Sequence, residues 1–394
     1  MKFLHLANHG SRNVGNGALI LGLERVLRED FEHQPSFEPE PWEEYSLGRR
    51  RFDEAFVERV NRDCDALLVG AAVTFDGRPR YANTGMRFDL PLELWPRVRK
   101  PIVFYGLSHR DWRHGGNYNH LERLRETVRT MADSPNVLFG ARNDGTKRWL
   151  ASLTGVDSER IVEVPDPAVY VPVADTTHAE LEAGKTNVVL ALNDEIRTTF
   201  EEAAGTRRRR PSWLRQPEPE WETRTRAVHL ELARAVRTLA AERPLNVVLV
   251  AHDPSDLWST GEFMRGLSAS ERDVCVLAAS GLRVAKTPLF YDLYAKCDVA
   301  IALRVHAMNP AIGIGAPVVP VLSQERMRVF MREAGLAPLC VDVEADGLGD
   351  AVLARVRDAL ADPARLRNEL EAARVSLRRR TAAFNATVED FVTG

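Results

Sequence analysis

The chain has 394 residues, 44% of them hydrophobic, which is enough for substantial cores and, at about 150 residues per domain, for two or three domains, with two the working count. Its 53 Lys and Arg against 56 Asp and Glu leave a formal charge of −3, so no global basic field attracts nucleic acid and any polyanion site must be local. Four cysteines, Cys64, Cys275, Cys297 and Cys340, stand far apart with no C-x-x-C pair, and neither a metal site nor a disulfide framework is expected.

The run Phe3 to Leu6 reads as a first strand, because it meets a polar glycine-containing loop too soon for a signal-peptide core. No stretch of about 18 apolar residues follows, so a spanning helix is not expected. A cytoplasmic protein is anticipated, with a peripheral position at the inner membrane surface compatible with it. The next loop, Asn8 to Gly17, opens a helix carrying Ala18, Leu19, Leu23 and Leu27. Its glycines let backbone N–H groups approach an anion or a sugar hydroxyl at the helix N-terminus, which makes Asn13, Gly15 and Asn16 ligand candidates. A plain turn and cap accounts for the same residues. Glycines at 10, 15 and 17 do not form G-x-G-x-x-G, which disfavours a dinucleotide site. The acidic, proline-containing stretch from Glu38 to Glu44 reads as a surface loop.

Apolar runs then recur at residues 66–69, 102–105, 136–139, 161–164, 187–192, 246–250, 274–278, 299–303 and 318–322, alternating with helical stretches. This alternation predicts an α/β fold with parallel sheets, about five strands to each. The polar stretch 172–185 breaks the series and divides the chain into two Rossmann-like lobes facing a cleft, residues 1–178 and 179–394. In the second lobe Leu230, Ala233, Val236 and Leu239 form a helical stripe. C-terminal helices follow, with stripes of Leu353, Val356 and Leu360 and of Leu366, Leu370, Ala373 and Leu377, and the sequence permits the last to cross back to the first lobe.

Ligands of open parallel sheets bind outside the carboxyl ends of strands. Arg304 and His306 follow the strand at 299–303 and open a helix that Gly315-Ala316-Pro317 ends. They form an anion site: the arginine fork grips a carboxylate or phosphate, and histidine donates to a phosphate oxygen or works as acid or base. A capping arginine and a satisfied core histidine are the plainer alternative. His109, His252 and Asp256, also at strand ends, are candidates for acting on a hydroxyl, with an ordinary loop role as the rival. Arg207 to Arg210 open a Pro- and Trp-containing stretch that reads as a solvated loop or as a flap over an anionic acceptor. Glu325 and Glu333 read as solvated helix charges.

A strand ending in Arg304-Val305-His306-Ala307, a short helix, and Gly315-Ala316-Pro317-Val318-Val319 resembles the polysaccharide pyruvyl transferase family. Asn13-Val14-Gly15-Asn16 looks like its Asn-x-Gly-Asp/Asn loop, Arg142-Asn143-Asp144-Gly145-Thr146 resembles its Arg-Asp/Glu-x-x-Ser segment, and Asp166-Pro167-Ala168 resembles the Asp-Pro-Ala that follows. His252 to Asp256 match a second-lobe loop more loosely. The chain departs at Gly70-Ala71-Ala72, where the family usually carries three glycines, and at Asn143 and Thr146.

The resemblance implies the two-lobe architecture of GT-B glycosyltransferases and transfer of a pyruvyl group from phosphoenolpyruvate, a co-substrate, to two hydroxyls of a sugar, glycan or glycoside acceptor. On the family's pattern Arg304, His306 and Arg142 take the donor, with His306 also a proton donor, and no metal or further cofactor is implied. Two rival readings share these features: a nucleotide-sugar glycosyltransferase, and a catalytically silent glycan-binding relative.

Overall fold

The computed structural model describes residues 1–110, 118–156, 158–197, 200, 220–278 and 282–394, so the Arg207–Arg210 stretch lies outside the described residues. Two parallel sheets organise the chain. The first holds β1 (Lys2–Ala7), β2 (Ser36–Pro41), β3 (Ala66–Val69), β4 (Val73–Phe75), β5 (Ile102–His109), β6 (Val137–Arg142) and β7 (Val162–Val164), in the order β2-β1-β3-β5-β6-β7 with β4 beside β5. The second holds β8 (Thr186–Ala191), β9 (Leu245–Val250), β10 (Cys275–Leu277), β11 (Val299–Ala302), β12 (Val318–Leu322) and β13 (Val341–Asp342), in the order β10-β9-β8-β11-β12-β13.

Central strands such as β3, β9 and β12 are buried along their whole length, because helices cover both faces and a continuous apolar run suits them. The expected strands appear, and the count of five per sheet is too low. The Glu38–Glu44 stretch is corrected from loop to structure: Ser36–Pro41 is β2, paired in parallel with β1, and a short helix begins at Trp42. Two prolines and two glutamates disguise it, and they are tolerated because β2 is an edge strand. The second-lobe stripe also shifts: Ala233, Val236 and Leu239 are buried, whereas Leu230 is exposed.

Helix α1 (Val14–Asp30) follows β1 and lies between the sheets. Val14, Ala18 and Leu19 join the core of the second sheet, while Leu23 and Leu27 pack against β1, β3 and β5 of the first. The remaining helices that bear on the site are α2 (Thr146–Thr154), α3 (Asp256–Arg265), α4 (Thr287–Lys296), α5 (Val305–Ile314) and α6 (Glu325–Glu333). After α7 (Leu348–Ala361), the long C-terminal helix α8 (Pro363–Thr393) returns to the first sheet. There Phe384 and Val388 enter the core, Asn385 accepts a 2.7 Å hydrogen bond from Tyr105, and Arg378 pairs with Asp30 of α1. Among the described residues no helix is long and apolar enough to cross a membrane.

Candidate active site

In the second sheet the chain runs from β8 outward to β9 and then returns to β11 on the other side of β8, so the β8/β11 pair is a switch point where adjacent loops diverge and leave a crevice. Arg304 caps α5 at the carboxyl end of β11, and Asn193, just beyond β8, donates to the Leu303 carbonyl at 3.1 Å. Arg304 is 8% exposed, and its Nη2 donates to Asp256 Oδ1 at 2.6 Å. Asp256 is fully buried, with its carboxylate also taking the backbone N–H groups of Asp194, His252 and Asp253. Burial weighs against the guanidinium charge, but Asp256 and then Glu195 outweigh it and keep Arg304 firmly ionised. Its Nε makes no hydrogen bond.

His306 occupies the first turn of α5, and its carbonyl accepts from the buried Tyr291 hydroxyl. Facing it across the lobes stands Asp166, which follows β7 and is fully buried. Asp166 Oδ2 lies 3.7 Å from His306 Nε2 and 3.4 Å from Arg142 Nη1, and it accepts from Asn309 Nδ2 at 2.9 Å. His306 and Asn309 are three apart on one helix, so they present one face to this carboxylate. Burial opposes ionisation of Asp166, yet Arg142 first and then His306 hold it well below the usual carboxylate range. His306 is pushed down by burial, although Asp166 supports its charge.

Arg142, at the end of β6, is 1% exposed; its Nε donates to the Gly106 carbonyl, and both terminal nitrogens lack hydrogen bonds. Arg326, at the start of α6 beyond β12, completes the cluster. It is buried, its Nε donates to Gln324, and its Nη1 is unpartnered. Burial lowers its affinity for the proton, with Glu195 opposing. Glu195 takes Arg110 of the first lobe at 3.2 Å and Gln324 at 2.7 Å, with Arg326 3.8 Å away. Burial would raise its carboxyl, but Arg304, Arg110 and Arg326 bring it down to about 2. Sequence reasoning passed over Arg326 and Glu195. The signal was present, since both lie just past strands of the switch-point sheet, but their polar neighbours resembled ordinary surface.

Other expected residues take different places. In the glycine loop the N–H groups of residues 13 to 16 are all occupied, by Ser11 Oγ, the His252 carbonyl, Asn13 Oδ1 and the Asn13 carbonyl. Asn13 caps α1, and Asn16 donates to Ser11. The glycines serve apposition of the lobes: a Cβ on Gly15 would lie 2.6 Å from the His306 Cβ, and one on Gly17 would lie 1.9 Å from Thr287 Oγ1. His252 is fully buried among Phe290, Tyr291 and Tyr294, bonded to the Tyr294 hydroxyl at 2.6 Å and pushed well below its ordinary value by burial, so it supports the site from the interior. Asp256 likewise serves Arg304. His109 is buried flat against Trp149 with Nδ1 on Thr146 at 2.7 Å. Glu333 is corrected from solvated charge to half-buried, opposite Glu163 and Arg380.

Two cavities of about 700 and 560 Å³ are lined by the C-terminal helices and share no residue with this cluster. The chemistry therefore marks the site, through buried arginines from both lobes that keep N–H groups without hydrogen bonds, two of which, Arg142 and Arg326, bear on the charge of one histidine.

Solved structures with the same architecture include a protein described as a UDP-N-acetylglucosamine 2-epimerase from Listeria monocytogenes, with 12% identity, a TM-score of 0.57, and 99% of this chain and 97% of that one covered. A glycosyltransferase from Rickettsia africae is similar at 10% identity and TM-score 0.53, covering 100% and 98%. The N-terminal domain of a Candida albicans trehalose-6-phosphate phosphatase is similar at 9% identity and TM-score 0.52, covering 99% of each. These likenesses establish the GT-B-type fold of two Rossmann-like lobes. No curated relative matches the chain in sequence. Residues 13–325, spanning every segment of the arginine–histidine cluster but its last member, match the polysaccharide pyruvyl transferase family, and the chain belongs to that family of transferases.

Proposed function

We propose that the protein moves a pyruvyl group from phosphoenolpyruvate onto a pair of hydroxyls of a sugar, glycan or glycoside acceptor, forming a ketal and releasing phosphate. The observation that carries the donor is the set of buried nitrogens on Arg142, Arg304, Arg326 and His306 that make no hydrogen bond. Phosphoenolpyruvate presents a phosphate and a carboxylate a few bonds apart, and planar guanidinium forks suit both. Asp256, Glu195 and Asp166 fix one side of each cation and leave the other side for the ligand.

His306 is the proposed acid. Burial favours its neutral form in the free enzyme, and an arriving trianion favours the protonated one. Its proton passes to the methylene carbon of the donor, leaving a cationic centre at the neighbouring carbon. One acceptor hydroxyl adds there and gives its proton back to the now neutral His306; the carbon–oxygen bond to phosphate breaks, with the electron pair leaving on phosphate. The second hydroxyl then adds and passes its proton to the released phosphate, closing the ring. Buried guanidinium groups stabilise the departing phosphate where water is excluded. Asp166 and Asp256 act as positioning residues, and no cofactor beyond the co-substrate enters. The reading puts the enzyme in the cytoplasm, the compartment of its donor.

The test is to incubate the protein with phosphoenolpyruvate and a panel of saccharide acceptors, following phosphate together with acceptor mass. Acceptor-dependent phosphate and a pyruvate-ketal product are expected. Release of nucleoside diphosphate from a sugar nucleotide, with no reaction of phosphoenolpyruvate, would replace this reading by glycosyl transfer.

A further inference from the structure

A cavity of about 410 Å³ opens in the first lobe just past the carboxyl end of β2. Four arginines line it, Arg50, Arg51, Arg80 and Arg87, with Trp42 and Tyr81 behind them. Two of the guanidinium groups lie over rings: Arg87 is 4.7 Å from the Trp42 centroid and Arg80 is 5.0 Å from that of Tyr81. The acids on the rim are already engaged. Asp53 caps the helix Glu54–Asp63, and Asp89 takes the N–H groups of Asn83 and Thr84. Arg50 is paired with the buried Glu40.

Arg87 and Arg51 differ from these. Among the described residues Arg87 has no carboxylate within 4.0 Å, its Nε makes no hydrogen bond although buried, and burial lowers its hold on the proton against the more distant Asp76 and Glu43. Arg51 is exposed, with no partner among the described residues. A preorganised guanidinium with an unmet donor is suited to an oxyanion. The pocket is also tied to the cluster in the cleft. Arg87 Nη2 donates to Asn8 Oδ1 at 2.7 Å, the Asn8 carbonyl accepts from Ser11, Ser11 Oγ accepts from Asn13 N–H, and Asn13 caps the turn at Gly15 that packs on His306.

We propose that this pocket holds an anionic group, phosphate or carboxylate, carried by the acceptor saccharide. Naming the ligand as acceptor rests on the pyruvyl-transfer reading; anion binding in the pocket does not.

Calorimetric titration separates the two. N-acetylglucosamine 1-phosphate, glucuronic acid and neutral N-acetylglucosamine are titrated into the wild type and into Arg87→Gln, Arg51→Gln and Arg304→Lys. An anionic sugar is expected to bind more tightly than the neutral one, and to weaken about tenfold in Arg51→Gln or Arg87→Gln while Arg304→Lys leaves it unchanged. Preference for the phosphate or the uronate says which group the pocket takes. Arg51 is exposed, so that variant keeps the test sound if Arg87→Gln fails to fold. No binding of either anion, equal binding of the neutral sugar, or a loss confined to Arg304→Lys overturns the proposal. Binding that survives while phosphoenolpyruvate is never turned over removes the transfer reading and leaves the pocket standing.

Discussion

Asp166 of the first lobe stands 3.7 Å from His306 Nε2 of the second, too far for a hydrogen bond and close enough for each charge to set the other's proton affinity. The contact joins the lobes at the place where the donor is proposed to bind. If His306 must carry a proton to engage the donor, kcat/KM for phosphoenolpyruvate falls as pH rises through its pKa in the free enzyme, which burial sets below the ordinary histidine value. Asp166→Asn removes the group that favours protonated His306, so this limb moves to lower pH. Rate profiles of the wild type, Asp166→Asn and His306→Gln check it. An unaltered limb in His306→Gln would remove the histidine from the reaction.

The Arg304–Asp256 pair constrains how its cation is tested. Arg304→Ala would strand a fully buried carboxylate, at a cost of about 3–5 kcal/mol, and confuse lost folding with lost function. Arg304→Lys keeps the charge and loses the planar fork. We expect it to fold, with kcat/KM for the donor reduced by about 100-fold or more, as two charge-assisted bonds of about 1.5 kcal/mol each imply. Thermal unfolding beside kinetics decides, and wild-type kcat/KM in this variant would place the donor elsewhere.

Arg326 offers a cleaner measurement, because Glu195 retains Arg110 and Gln324 when it is lost. Arg326→Gln is predicted to raise KM for phosphoenolpyruvate about tenfold, the loss of one charged contact, and to change stability by less than about 1 kcal/mol. A KM that does not move would make Arg326 a partner of Glu195 alone.

The sequence made the sheets legible wherever a strand is buried on both faces, as in β9 and β12, because a continuous apolar run survives without context. It concealed β2, whose edge position lets Pro39 and Pro41 stand in a strand. Arg304 and His306 were visible because β11 points directly at them. Arg326 and Glu195 were not, since a charge in a polar loop looks solvated until the fold sets opposite charges against it, as Arg110 of the first lobe is set against Glu195. Gly15 and Gly17 were read toward a ligand for a related reason: like Gly313, they are required by surfaces that come together only in the fold.

That last point can be measured. A Cβ on Gly313 in α5 would lie 1.8 Å from the Val169 carbonyl oxygen, a backbone atom with little freedom to move. Gly313→Ala should destabilise by about 1–3 kcal/mol and lower activity by parting α5 from the Asp166 segment. Gly261, inside α3 with nothing within 4 Å of its absent Cβ, supplies the control, and Gly261→Ala should be neutral or stabilising by up to about 1 kcal/mol. Denaturant unfolding of both variants tests the pair, and equal stability would mean that the lobes separate without cost at this contact.

Glu333 of α6, Glu163 of β7 and Arg380 of α8 bring both lobes and the C-terminal helix to one point. Burial raises the Glu333 carboxyl to about 7, with the charge of Glu163 adding to it and Arg380 opposing. In the unfolded chain the same group titrates near 4.3. A carboxyl whose pKa is raised on folding binds more protons folded than unfolded between these values, so its contribution is complete below about pH 4 and is lost as pH rises through about 7. The partial exposure of both carboxylates reduces the effect to the order of 1 kcal/mol. Glu333→Gln keeps the shape and removes the charge, so it should unfold at a higher temperature than the wild type at pH 8, with the gap closing towards pH 5. Melting curves across that range decide the matter, and a gap that does not change with pH would show that this carboxyl titrates as an ordinary surface acid.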